Sequence, residues 1–139
     1  MSPTAEVDAW LYATLTGDVA LMAMVKGVWN TKAVPESATP LVVYAQEGLP
    51  RASRSLSDEL TMVEMRYRVT VVGAGGSTSA LKPIMDRLHT LLNKQAVNGT
   101  GYKLNVATDG VFEQADILLG TTRYSQLGAI YRVRYRPVG

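Results

Sequence analysis

The 139-residue chain contains no cysteine, which excludes disulfide staples, thiolate zinc sites and cysteine nucleophiles together. It has one histidine, His89, so a two-histidine metal site cannot form. A Ser-His-Asp relay would have to pass through that residue, and no Gly-x-Ser-x-Gly elbow accompanies it. No apolar run approaches the ~20 residues that cross a bilayer. The opening "MSPTAEVDAW" lacks a basic stretch followed by an apolar core and a cleavage site, so a cytoplasmic origin and no membrane partner are expected. Excess charge is missing too: a formal net charge of +2 is too small for nucleic-acid binding by bulk electrostatics. The 12 carboxylates are scattered. Neither Asp58-Glu59 nor Glu113 with Asp116 has the alternating oxygens and sixth-position glycine of a calcium loop.

What is present is ordinary for one globular unit. Hydrophobic residues make up 47% and charged residues 19%, which predicts a single folded domain over 1–139. Thr4 is placed to cap a first helix with Val7, Trp10, Leu11 and Leu15 at helical spacing, ended by Gly17. Asp18 is placed to cap a short second helix through "VALMAMV", which stops at Gly27. The stretch from Val28 to Pro40 reads as a surface connector and "LVVYAQ" as a strand. Glu47 to Leu60 reads as a long exposed loop, a candidate arm for contacting a partner.

"MVEMRYRVTVV" alternates. Val63, Met65, Tyr67, Val69 and Val71 point one way, and Glu64, Arg66, Arg68 and Thr70 the other. The closing "GAIYRVRYRPV" does the same, with Ala129, Tyr131, Val133 and Tyr135 opposite Ile130, Arg132, Arg134 and Arg136. Between them, Leu81, Ile84, Met85, Leu88 and Leu92 stripe one helix, with His89 just off the stripe as a boundary residue. Asn98-Gly99 marks a turn before a short strand around Tyr102 to Ala107. "VFEQADILLG" is ambiguous between strand and irregular structure. The expected fold is therefore α+β: a mostly antiparallel sheet of about four to five strands, helices packed on one face, and two short N-terminal helices.

The segment "VTVVGAGGSTSALKPIMDRLHTLL" resembles a phosphate cradle at first sight. "GAGGST" places Thr78 where a dinucleotide fingerprint needs its third glycine, and no lysine follows until Lys82, which fails the P-loop pattern. The simpler reading is a reversal through Gly73, Gly75 and Gly76, with Ser77, Thr78 or Ser79 capping the helix. No catalytic, cofactor-binding or metal-binding residues are assigned.

The arginines stand out instead. If the two alternating strands share a sheet, five guanidinium groups crowd one surface and repel unless something answers them. That surface either stays solvated or meets an acidic protein surface or a nucleic-acid backbone. Candidate subunit or DNA-channel contacts are Arg51, Arg54, Arg66, Arg68, Arg132, Arg134 and Arg136.

Taken together, "VDAWLYATLTGDVALMAMVKGVWNTKAVPESATPLVVYAQ" and the later "VVGAGGST" turn, amphipathic helix and alternating strand resemble the tail-completion (tail-terminator) proteins of long-tailed, siphovirus-like phages and prophages. The shared pattern is a helix, a Gly-Asp break, a short helix, a Gly-Val-aromatic-Asn step and a proline-led strand. The resemblance implies a non-enzymatic virion protein without cofactors. It would assemble as a hexameric ring on the head-proximal end of the tail tube, stop tube polymerisation and join tail to head, with DNA passing through. The implied partners are further copies of the chain, the major tail tube protein, head-tail connector proteins and DNA; assembly would take place in the host cytoplasm. Two alternatives remain: another head-tail connector or neck protein, and a small sheet-based nucleic-acid-binding module using the Arg66, Arg68, Arg132, Arg134 and Arg136 face.

Overall fold

The computed structural model describes residues 2–30, 40–56, 60–75, 78–119 and 122–138, with backbone alone at 113–119 and 122. Two N-terminal helices, α1 (Pro3–Thr16) and α2 (Val19–Met24), lead into β1 (Val28–Asn30), β2 (Leu41–Gln46), β3 (Arg51–Arg54) and β4 (Leu60–Ala74). A 3-10 turn at Ser79–Leu81 opens α3 (Lys82–Leu92). The chain closes with β5 (Gln95–Gly99), β6 (Tyr102–Leu119) and β7 (Thr122–Pro137). The fold is α+β, built on one mixed seven-stranded sheet in the order β1-β2-β4-β7-β6-β5, with β3 also on β4.

The strand count exceeds the expected four to five. The three additional strands lie in stretches that read as connector, loop and turn. β1 falls inside the Val28 to Pro40 connector and pairs in parallel with β2; the rest of that stretch, 31–39, lies outside the described residues. β3 falls inside the expected loop from Glu47 to Leu60 and pairs antiparallel with β4. β2 and β3 both run along the same edge of β4, Gln46 opposite Tyr67 and Arg51 opposite Glu64. The break between them holds Gly48 at φ 75 and Pro50, so the stretch is an interrupted strand. β5 uses Asn98 and Gly99 as its last residues, and the reversal falls at the following Thr100 and Gly101, where φ is 80. Of the ambiguous "VFEQADILLG", residues 111–119 continue β6, paired with β7 through Leu119 opposite Thr122, and Gly120 lies outside the described residues.

The alternation in β4 and β7 holds. Val63, Met65, Tyr67, Val69 and Val71 are buried, as are Ala129, Tyr131, Val133 and Tyr135. Thr70 departs from its expected wet position: it is buried opposite Gly128, whose other strand neighbour is Phe112. Val7, Leu11 and Leu15 of α1, Leu21 of α2 and Ile84, Leu88 and Leu92 of α3 join the inward strand residues in one core. Burying an aliphatic side chain of this kind contributes about 1.5–3 kcal/mol, so apolar burial dominates what holds the helices down.

Polar contacts fix where each helix lies. The Tyr67 hydroxyl donates to the Asp8 carboxylate at 2.7 Å, and the Tyr135 hydroxyl to Glu6 at 3.3 Å, which orients α1 across β4 and β7. Burial, with Asp8 beside it, raises the Tyr67 pKa, so its hydroxyl stays a donor. Ser2 caps α1 by accepting from the Ala5 N–H; Thr4, the expected cap, lies within the helix, its hydroxyl 3.9 Å from the Met65 sulfur.

Asp18 caps α2 as expected, accepting from the Leu21 N–H at 2.9 Å. The glycine turn also differs in detail. Gly73 belongs to β4, and a Cβ there would lie 2.6 Å from Leu81. Gly75 adopts φ 94. Thr78 makes no side-chain cap bond, because a 3-10 turn with Leu81 N–H donating to the Thr78 carbonyl starts the helix instead. Gly76 and Ser77 lie outside the described residues.

Candidate functional site

Because β4 and β7 pair in register with Arg66 opposite Arg132 and Glu64 opposite Arg134, their outward residues form one polar face. The crowd of guanidinium groups is answered from within the chain. Arg66 lies 3.1 Å from Asp109, and Arg132 bridges Asp109 at 3.9 Å and Glu64 at 3.7 Å. Arg134 donates to the same Glu64 oxygen at 3.2 Å. Arg68 lies 3.8 Å from Glu47 and 4.1 Å over the Phe112 ring, an ion pair from the end of β2 and a cation–π contact from β6, reached across β7.

These pairs are partly exposed, Arg66 at 57% of its side chain and Arg132 at 34%. Each such pair contributes roughly 0–1 kcal/mol. Their main effect is to hold the guanidinium groups in a fixed array rather than to stabilise the fold.

Three of the seven candidate arginines stand apart from this array. Arg51 lies opposite Glu64 in register and lines a depression of about 420 Å³ with residues 47–50, Glu64 and Arg66. Arg136 pairs in register with Lys103, a like-charge neighbour. Arg54 sits beyond a register shift, opposite Leu60.

Sequence reasoning missed Glu47, Asp109, Phe112 and Lys103 as members of this face. Asp109 enters it from a register shift in β6, and Glu47 from the break after β2, where its N–H donates to the Arg66 carbonyl. Neither position follows from alternation. Glu64 carried the available signal, two residues before Arg66 on the same face.

His89 is half-buried, as expected of a boundary position, and its ring reaches the sheet. Its Nδ1 is 3.4 Å from the Thr108 hydroxyl and 3.5 Å from that of Tyr131, whose pKa burial pushes up to about 12. Thr108 is held in turn by Asn93, which accepts from its N–H and its hydroxyl. The group ties the end of α3 to β6 and β7. Among the described residues no cluster of three or more His, Asp or Glu could hold a metal, and no helix is long and apolar enough to cross a membrane.

The tyrosines that a nucleic-acid-binding sheet would use for stacking do not lie on the arginine face, and Phe112, which does, lies beneath Arg68. Tyr67, Tyr131 and Tyr135 are buried on the opposite side of the sheet, beneath the helices. Three carboxylates within the array also offset most of the positive charge that a phosphate backbone would meet.

Comparison with known proteins gives a family and a fold. No curated protein matches the sequence. A chain from the virion of a native gene transfer agent particle superposes with a TM-score of 0.67 at 14% identity, over 90% of each chain. A second solved chain, which carries no functional name, superposes with a TM-score of 0.60 at 18% identity, over 96% of each chain. At these identities the likeness is one of fold. The sequence profile of the family described as tail completion protein gp17 matches residues 9–136, from within α1 to the end of β7. The chain belongs to this tail completion family of phage structural tail proteins.

Proposed function

We propose that the protein caps the tail tube as a homo-oligomeric ring, a hexamer, ends tube polymerisation and forms the surface to which the head joins, with DNA passing through the ring. The observation that carries this reading is the family match over residues 9–136. The likeness in fold to a virion chain of a gene transfer agent supports it. In this reading the protein sits at the head-proximal end of the tail in the virion and assembles in the host cytoplasm. Its partners are its own copies, the major tail tube protein, head-tail connector proteins and DNA.

The arginine face suits a protein neighbour better than the channel wall. Arg66, Arg68, Arg132 and Arg134 alternate with Glu47, Glu64 and Asp109, and a surface of mixed sign selects one complementary protein surface and one register. Arg51, Arg54 and Arg136 extend that contact at the β3 end of the sheet. Light scattering on the purified protein, alone and with tail tubes, tests the assembly. A closed species of fixed mass, or stoichiometric capping of tubes, is expected. A monomer at every concentration that also ignores tubes would contradict it.

A further inference from the structure

At one end of the sheet both edges are open. Among the described residues β3 pairs within the sheet only with β4, and β5 only with β6. Each strand therefore presents a row of backbone donors and acceptors along its outer side. Soluble proteins blunt such edges with charge, proline or a bulge. β5, with the sequence QAVNG, carries none of these and pairs without a register shift. β3 is exposed along its whole length and contains no proline, although Arg51 and Arg54 and a register shift after Ser53 guard its two ends.

The registers show that the two edges match. Ala52 lies opposite Val63, Val63 opposite Tyr135, Tyr135 opposite Leu104, and Leu104 opposite Val97. This is one apolar row on the core side, with Val97 packed against the core at one edge and the exposed Ala52 ending the row at the other. The next residues, Ser53 and Asn98, are polar, exposed and on the outer face. Every pairing from β3 through β4, β7 and β6 to β5 is antiparallel, so β5 runs in the same direction as β3. Rotation about a ring axis preserves strand direction along that axis. A β5 edge carried onto the next copy's β3 edge therefore meets it in parallel, and continuing the apolar row from copy to copy sets Val97 beside Ala52 and Asn98 beside Ser53.

We propose that β5 of each copy adds to the β3 edge of the next, so that β3, β4, β7, β6 and β5 of successive copies join into one sheet continuous around the ring. The inference rests on the ring reading above. It supplies the two different patches that a heterologous, closing interface requires, and the slanted, evenly spaced bonds of a parallel pair would occupy both open edges.

The absence of cysteine makes a clean test available. Ser53→Cys and Asn98→Cys are introduced singly and together at these exposed positions. The oligomer is sized by light scattering, treated with a short bis-maleimide and run on a denaturing gel. The double variant is expected to give a covalent ladder from dimer up to ring size, which each single variant loses. An intact oligomer whose double variant gives no ladder overturns the edge pairing and leaves the ring standing. Dimers formed equally well by a single variant indicate a two-fold contact and also overturn it. A protein that never oligomerises overturns the ring reading and this inference together.

Discussion

Asp18 and Arg87 form a two-pronged contact between α2 and α3, with the guanidinium donating to the two carboxylate oxygens at 2.8 and 2.6 Å. The same carboxylate caps α2. The Arg87 hydrogen bond, with the cap bond from Leu21, holds the Asp18 pKa down to about 2. An unfolded aspartate titrates near ~3.9. The contact's contribution is therefore complete above roughly pH 4 and is lost as pH falls through about 2. Asp18→Asn is expected to lower the melting temperature at neutral pH, with the gap to the unsubstituted protein closing as pH approaches 2. Thermal melts followed by circular dichroism check this; a gap of constant size across that range would contradict it.

Tyr67 is fully buried and its hydroxyl donates to Asp8. Tyr67→Phe removes the donor, keeps the ring and is expected to cost about 1–2 kcal/mol in urea denaturation. Asp8→Ala breaks the same bond from α1, so a double-mutant cycle should show the two losses to be less than additive. Additive losses would mean that the contact does not anchor α1.

Gly128 marks the place where Phe112 crosses the sheet. A Cβ at Gly128 would run into the Phe112 ring and lie 2.7 Å from the Val69 carbonyl oxygen. Gly128→Ala is expected to destabilise by about 1–3 kcal/mol, the usual cost of overpacking. Combining it with Phe112→Ala should recover only part of the loss, since the backbone carbonyl cannot move aside. Full recovery would show the ring to be the sole obstacle.

Glu64 answers Arg132 and Arg134 with one oxygen. Glu64→Gln is expected to change stability by less than about 1 kcal/mol, because the pairs are partly exposed. It releases two guanidinium groups on the face proposed to meet a neighbouring protein. Light scattering at several salt concentrations should show weaker assembly than the unsubstituted chain. Assembly unchanged at every salt concentration would remove this face from the interface.

How much of this was legible in the sequence depended on length and period. α3, β4 and β7 carry enough residues for a helical or alternating pattern to repeat, and their core positions follow from it. β1, β3 and β5 run three to five residues, too short for a period, and two of them contain glycine or arginine where a strand signal would be apolar. They exist because β2, β4 and β6 offer an edge, which is tertiary information. The arginine face was legible from alternation, but its carboxylate partners were not, since Asp109 and Glu47 arrive through a shifted register and a strand break. At the glycine turn the passage from strand to helix was legible in the glycines and the helical stripe that follows them. The packing of Gly73 against Leu81 was not, because it depends on how α3 returns over the strand end.

The most direct test of the proposed role is electron microscopy of particles assembled with and without this protein. The account predicts that without it tail tubes grow past their normal length and stay unattached to filled heads, and that supplying the protein restores length and joining. Tails of normal length, joined to heads in its absence, would contradict it.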